Sequence, residues 1–186
     1  MSSPLPAQVR GSALARFNAM PTEAAERVLL HCCGSHRWAH RVAAHRPYPD
    51  LATLLAAADE ASYDMAQSDL TEALAVECST ELHEDAPYAA HLALDAAHAE
   101  YERKFGHAFV ICLDGHPAEE HPDQVLAGIR RRMGHEEDEE RAISADELRR
   151  LAQARLSELA RMPECLGAVR PESPCSPLWD SPSVPV

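Results

Sequence analysis

An all-α fold, a compact single-domain helical bundle, follows from three features of the sequence. Apolar residues make up 46% of the chain but aromatic ones only 5%, so alanine and leucine must fill the core. Both favour helices, because alanine loses no side-chain entropy there and leucine loses little. The β-branched and aromatic residues that suit a pleated sheet are sparse, and they gather into one strand-like run, Phe109-Val110-Ile111-Cys112-Leu113. A lone strand has no sheet to join, so residues 109–113 are expected to form a buried extended linker between helices. A length of 186 residues suits one domain with a tail. The expected division is a flexible N-terminus over 1–13, a helical domain over 14–162 and a disordered Pro/Ser-rich tail over 163–186.

Each helix has local signals. Met20-Pro21-Thr22-Glu23 opens the first clear one, with Thr22 as its cap and Glu23 and Glu26 near its positive end. It runs to Cys32-Cys33, where Gly34 stops it. A second short helix spans Ser35 to Ala44 and ends at Arg46-Pro47-Tyr48-Pro49-Asp50, which two prolines force into an extended turn. Asp50 caps a third helix over Leu51–Ser62, where Leu51, Leu54, Leu55 and Ala58 share one face. Asp69-Leu70-Thr71-Glu72 has capping-box spacing and opens a fourth helix to about Glu77. Cys78 to Pro87 is polar and irregular. A long helix covers Tyr88 to Lys104 and is broken by Gly106. Glu119–Met133 and Ser144–Met162 form the last two, the final one opened by the capping box Ser144-Ala145-Asp146-Glu147. The acidic run Glu136 to Glu140 falls at the N-terminal turn of that last helical region. From Pro163 onward the chain cannot bury enough apolar surface to offset its ordering entropy.

Composition also bounds function. Thirty acidic against 17 basic side chains give a formal charge of −13, which repels polyanions. Arg130 to Arg132 and Arg149/Arg150 are flanked by acids and suit solvated helix faces, so nucleic acid is not an expected partner. No run of about 18 apolar residues occurs, and no membrane partner is expected. Met1 to Arg16 lacks a charged start followed by an apolar stretch, so a cytoplasmic location is expected. The six cysteines form no CxxC pair and are expected to be reduced, mostly buried thiols. Nucleophile-elbow, P-loop and dinucleotide motifs are absent, and seven glycines leave little for a phosphate-cradling loop. His36 and His40 lie four apart without a third ligand, so they are expected at the surface beside Trp38 rather than on a metal. His91 and His98 lie two turns apart on one helix face and are candidates for proton transfer. Taken alone, these residues describe an acidic helical domain.

Several segments together resemble the OHCU decarboxylases. In the N-terminal half these are Phe17-Asn18, Pro21, Leu29-Leu30-His31-Cys32-Cys33-Gly34-Ser35, Trp38-Ala39 and Ala43-Ala44-His45-Arg46-Pro47-Tyr48. Leu54 to Ala61 continues the pattern. Ala99-Glu100-Tyr101-Glu102-Arg103-Lys104-Phe105-Gly106 and Phe109-Val110-Ile111-Cys112 are similar to the family's Tyr-x-x-(Lys/Arg)-Phe-Gly-x-x-Phe-(Val/Ile) signature. Arg130-Arg131-Arg132-Met133, Glu140 and Leu151 to Leu156 follow in family order, so the resemblance covers residues 14 to 160.

The resemblance implies a cofactor-independent, metal-free carboxy-lyase of urate catabolism, converting 2-oxo-4-hydroxy-4-carboxy-5-ureidoimidazoline to (S)-allantoin. Its partner would be that ureidoimidazoline or a hydantoin-like ligand, and a homodimer is compatible with the alanine-rich helix faces. Arg155 occupies the family's arginine position, suited to a substrate carboxylate. Phe109, Val110, Ile111 and Cys112 occupy the segment whose backbone contacts the ligand, with Trp38 as a further binding candidate. The family's catalytic His-Pro has no counterpart: aligned on Asp69, Glu72 and Ala73 its expected position falls on Glu77-Cys78, and an alternative register places it on Gln67-Ser68; the first makes Glu77 a catalytic candidate. Glu81 is the candidate for the family's glutamate, and His91 and His98 remain possible proton relays. The missing histidine keeps a second outcome in view, a non-catalytic helical ligand-binding or partner-binding module.

Overall fold

The computed structural model describes residues 13–78 and 88–161. Expectations for residues 1–12, for Glu81 and its neighbours in 79–87, and for the tail from 162 lie outside the described residues. Within them are eight α-helices: α1 (Ala13–Ala19), α2 (Thr22–Leu30), α3 (His36–Ala44), α4 (Leu51–Tyr63), α5 (Gln67–Ala75), α6 (Tyr88–Phe105), α7 (His121–Arg132) and α8 (Glu137–Arg161). A single 3-10 turn, Ala118–Glu120, leads into α7. There is no strand among the described residues, and 107–113 is an irregular linker.

The Asp50 cap lies where the sequence places it, and Ser35, expected as the first residue of its helix, is the cap of α3. The Ser35 side chain accepts from the Trp38 N–H at the start of α3, and Asp50 accepts from Thr53 at the start of α4. Elsewhere the start points move. Pro21, not Thr22, holds the N-cap of α2, and its carbonyl accepts from Ala24 and Ala25. At α5, Asp69 sits three residues inside the helix and accepts from the Ala66 N–H at 2.8 Å. That is half a capping box, since Ala66 has no side-chain acceptor. The largest correction concerns α8, which begins at Glu137, seven residues before the expected Ser144. Four acids, Glu137 to Glu140, fill its first turn, where the helix dipole favours negative charge. Ser144 is instead fully buried within the helix, with its hydroxyl used in a tertiary network.

The core has two parts. The larger gathers α1 to α5 and the length of α8 around Trp38, Leu29, Val42, Leu54, Leu148 and Leu156. The indole N–H of Trp38 donates to Ala58 O at 3.0 Å and Ser62 Oγ at 3.1 Å, which satisfies its one polar atom. Arg46 fastens the proline-rich turn by donating to Phe17 O at 2.7 Å and Met20 O at 2.9 Å. The smaller part joins α6 and α7 through Leu94, Tyr101, Phe109, Val125 and Ile129.

The strand-like run lies between them. Phe109 packs into the smaller cluster and Val110 into the larger one. That alternation explains a strand-like sequence without a sheet: successive side chains face opposite ways, and both ways are buried. Phe109 lies against Gly128 of α7, where an added Cβ would come within 2.9 Å of the ring. Backbone groups that a sheet would satisfy are met by side chains. Arg132 donates to Val110 O at 2.7 Å, and Glu147 accepts from the Cys112 N–H at 2.8 Å.

Arg132 also pairs with Glu140, the two side chains being 3% and 0% exposed. Its Nε donates to Glu140 at 2.7 Å and its Nη2 to Ser144 at 2.9 Å. Tyr101 completes the carboxylate's shell with a short hydrogen bond, and His135 approaches the other oxygen at 3.0 Å. Burial alone would raise the Glu140 carboxyl, but hydrogen bonds from Arg132, Tyr101 and His135 outweigh it and hold it below its ordinary value.

Two consequences are open to measurement. Glu140→Gln leaves Arg132 buried without its counter-charge and should cost about 3–5 kcal/mol in urea unfolding at neutral pH. Because the folded carboxyl lies below its unfolded value, its stabilisation is complete above about pH 4 and is lost as pH falls through the folded pKa. The acid limb of the stability curve should therefore be shallower in Glu140→Gln than in the parent. At the α2–α3 turn, a Cβ on Gly34 would lie 2.0 Å from Val76 Cγ2 and 3.3 Å from Ala73 O. Gly34→Ala should cost about 1–3 kcal/mol by overpacking, read from the same unfolding curves.

Candidate active site

The C-terminal ends of α2 and α5 converge on the last turns of α8 and leave an open cleft of 410 Å³. Leu30 and His31 come from the end of α2, Val76, Glu77 and Cys78 from the end of α5, and Arg155 from α8. This volume is in the range of small-molecule sites. The close contact between Gly34 and Val76 sets how near the two helix ends approach, and with it the position of Glu77.

Arg155 and Glu77 form a bidentate ion pair: Nη1 donates to Oε1 at 2.7 Å and Nη2 to Oε2 at 2.8 Å. Nη1 also donates to the carbonyl of Cys32 at 3.0 Å, which ties the guanidinium to the α2–α3 turn. The Glu77 side chain is 8% exposed and that of Arg155 35%, so the pair closes the floor of the cleft while the arginine keeps an open edge. Hydrogen bonding to Glu77 raises the guanidinium pKa against the effect of burial, so Arg155 is a permanent cation. Such a group recognises carboxylates, and the second Nη2 hydrogen and Nε–H remain for one after Glu77 and Cys32 are served.

Behind this pair lie two buried thiols. Burial pushes Cys32 up to about 12 and Cys33 up to about 11, so neither offers a thiolate for nucleophilic work. Cys32, Cys33 and Cys112 are free, in keeping with the expected reduced thiols, whereas Cys78 is disulfide-bonded and departs from that expectation.

Among the candidates drawn from the sequence, Glu77 and Arg155 are brought together. Glu81 lies outside the described residues. Trp38 is a correction: it is 1% exposed, its indole N–H is spent on Ala58 and Ser62, and it serves the core rather than a ligand. Phe109 and Val110 give their side chains to the two core clusters, while Ile111 and Cys112 are partly exposed. Glu147, which holds the Cys112 N–H, precedes Arg155 on α8 by two turns, about 12 Å along the axis. None of the four lines the described wall of the cleft.

His91 and His98 lie on α6, away from that wall. His98 is buried against the Phe109 ring at 6.3 Å, and its Nε2 has no hydrogen-bond partner among the described residues. Burial lowers its pKa, with Glu102 and Asp95 opposing. His36 and His40 pair with different acids, Glu72 at 2.6 Å and Glu26 at 2.7 Å. No group of three potential metal ligands occurs among the described residues. The histidine in the cleft is His31, which nothing in the residue spacing had marked: it follows an apolar helix, has no chemical partner nearby in sequence, and enters only through the meeting of α2, α5 and α8.

Comparison with known proteins places the fold and the family. The sequence profile described as OHCU decarboxylase matches residues 18–79 and 77–157. The crystal structure of an OHCU decarboxylase determined in the presence of (S)-allantoin superposes with a TM-score of 0.62 at 19% identity, covering 77% of this chain and all of that one. The crystal structure of an (S)-allantoin synthase gives a TM-score of 0.64 at 14% identity, covering 80% of this chain and 54% of the other, so the chain spans about half of that protein. These likenesses establish the shared fold, whereas no curated protein matches significantly. With the profile spanning most of its length and the fold in agreement, the chain belongs to the OHCU decarboxylase family.

Proposed function

We propose that this protein decarboxylates 2-oxo-4-hydroxy-4-carboxy-5-ureidoimidazoline to (S)-allantoin, with Arg155 as the residue that binds the departing carboxylate. The observation that carries this is the Arg155–Glu77 pair, a fixed cation with donors to spare at the edge of a cleft of ligand size. The neighbours crystallised as an OHCU decarboxylase with (S)-allantoin and as an (S)-allantoin synthase support the same chemistry.

Decarboxylation breaks the carbon–carboxylate bond and leaves its electron pair on the ring, where it must be delocalised and then take up a proton. Arg155 orients the carboxylate by hydrogen bonding and keeps it in place until carbon dioxide leaves. Glu77 holds the guanidinium in one rotamer, and the Cys32 carbonyl holds it from the other side. Both are positioning contacts, which lower the cost of organising the site at each turnover.

A second function, ligand binding without turnover, is favoured by one specific observation. Glu77, which stands where the family's catalytic histidine is expected, has both carboxylate oxygens committed to Arg155 and so offers no free acid. The two readings separate in a coupled assay, in which urate passes through urate oxidase and hydroxyisourate hydrolase and the circular dichroism of (S)-allantoin is followed. Decarboxylase activity predicts a faster rise with the protein than without it. Arg155→Ala should lower kcat/KM by about 10²–10³-fold, chiefly through KM, the range for removing one partner of a hydrogen-bonded charge pair. Glu77→Gln should lower it less, by about 10-fold, since the guanidinium loses its clamp but not its charge. A folded protein that gives no acceleration, yet melts at higher temperature with allantoin, would establish the binding module instead.

A further inference from the structure

We propose that His31 is the proton-transferring residue of this cleft, standing in for the histidine whose His-Pro motif has no counterpart in the chain. This rests on the decarboxylase function proposed above. Three observations carry it. His31 lines the same cleft as Arg155 and Glu77 and is exposed to solvent there. Its Nδ1 lies 2.7 Å from the carbonyl of Arg27. A carbonyl oxygen can only accept, so Nδ1 carries hydrogen and Nε2 is the nitrogen left for chemistry. Third, Arg155 donates to the carbonyl of Cys32, the next residue along, so the imidazole and the guanidinium are anchored to one turn of backbone.

The other titratable groups of the site are committed elsewhere. Glu77 gives both oxygens to Arg155. The thiols of Cys32 and Cys33 are buried behind the cleft and raised well above neutral. His91 and His98 stand on α6, outside the described wall. Imidazole is also the side chain that most readily gives and takes a proton near neutral pH.

The step balances as one proton consumed. The carbon–carboxylate bond breaks, carbon dioxide leaves, and the electron pair it releases takes the proton from Nε2 of the His31 imidazolium. His31 is then neutral, keeps its Nδ1–H on the Arg27 carbonyl, and regains a proton at Nε2 from water. The Arg27 contact therefore holds the ring in one orientation through both halves of the cycle.

The ordinary alternative is that His31 only caps the last turn of α2. His31→Asn separates the two, because the Asn amide N–H can replace Nδ1 as donor to Arg27 O but supplies nothing in place of Nε2. In the coupled (S)-allantoin assay, His31→Asn should lose about 10²–10⁴-fold in kcat, the usual worth of a positioned acid. KM and the rise in melting temperature given by allantoin should stay close to the parent. Added imidazole should restore part of the rate to His31→Ala. If the parent accelerates allantoin formation and His31→Asn keeps its kcat within about 3-fold, His31 is a cap and the inference falls while the decarboxylase function stands. If the parent gives no acceleration, both fall.

Discussion

Arg132 and Glu140 are buried together where the α6–α7 cluster meets the larger core, and most of the remaining architecture is arranged around their satisfaction. Two charges removed from water cost several kcal/mol each unless every donor and acceptor finds a partner. Here Tyr101 from α6, Ser144 from α8, His135 from the α7–α8 turn and the Val110 carbonyl supply those partners. Each belongs to a different segment, so the ion pair can be satisfied only when all of them have docked. The Arg132 guanidinium also lies over the Phe109 ring, 4.5 Å from its centroid, which adds a cation–π contact to the joint.

From that joint α8 runs as a spine. Its 25 residues span about 37 Å at the usual helical rise. Near its start, Glu140 and Ser144 hold the smaller cluster. Further along, Arg149 reaches Asp59 at 2.7 Å and Gln153 donates to Leu55 O at 2.8 Å, locking α8 against α4. Arg155 follows directly after this lock. Its direction toward Glu77 and Cys32 is therefore inherited from packing along the whole helix, not from the cleft alone.

How much of this was legible in the sequence depends on how local each signal was. Ser35 and Asp50 cap within three residues, and α3 and α4 start where those caps place them. Ser144 carries the same capping chemistry, but its hydroxyl is claimed by Arg132 and the helix starts a full two turns earlier. Short-range pattern could not reveal a partner twelve residues away. The Phe109–Leu113 run forms no strand, as expected where no second strand-like run exists to pair with it, but only Phe109 and Val110 are buried while residues 111–113 are partly exposed. Trp38 shows the limit of motif reading: its position in a matched segment reflects core packing, with its N–H spent on α4. Arg155 came from the resemblance and Glu77 from register, while His31 became visible only once α2, α5 and α8 were seen to share one hollow.

The Arg155–Glu77 pair also has a kinetic meaning. Because its charges cancel, the cleft presents little net positive field, while the chain as a whole carries −13. An anionic ligand approaching from a distance meets repulsion before it meets the guanidinium, and attraction arises only within a few ångströms, once the ligand reaches the open N–H groups. Diffusional capture in this molecule is thus opposed at long range and rewarded at short range. Raising ionic strength screens the first effect more than the second, so moderate salt would quicken the encounter rather than slow it.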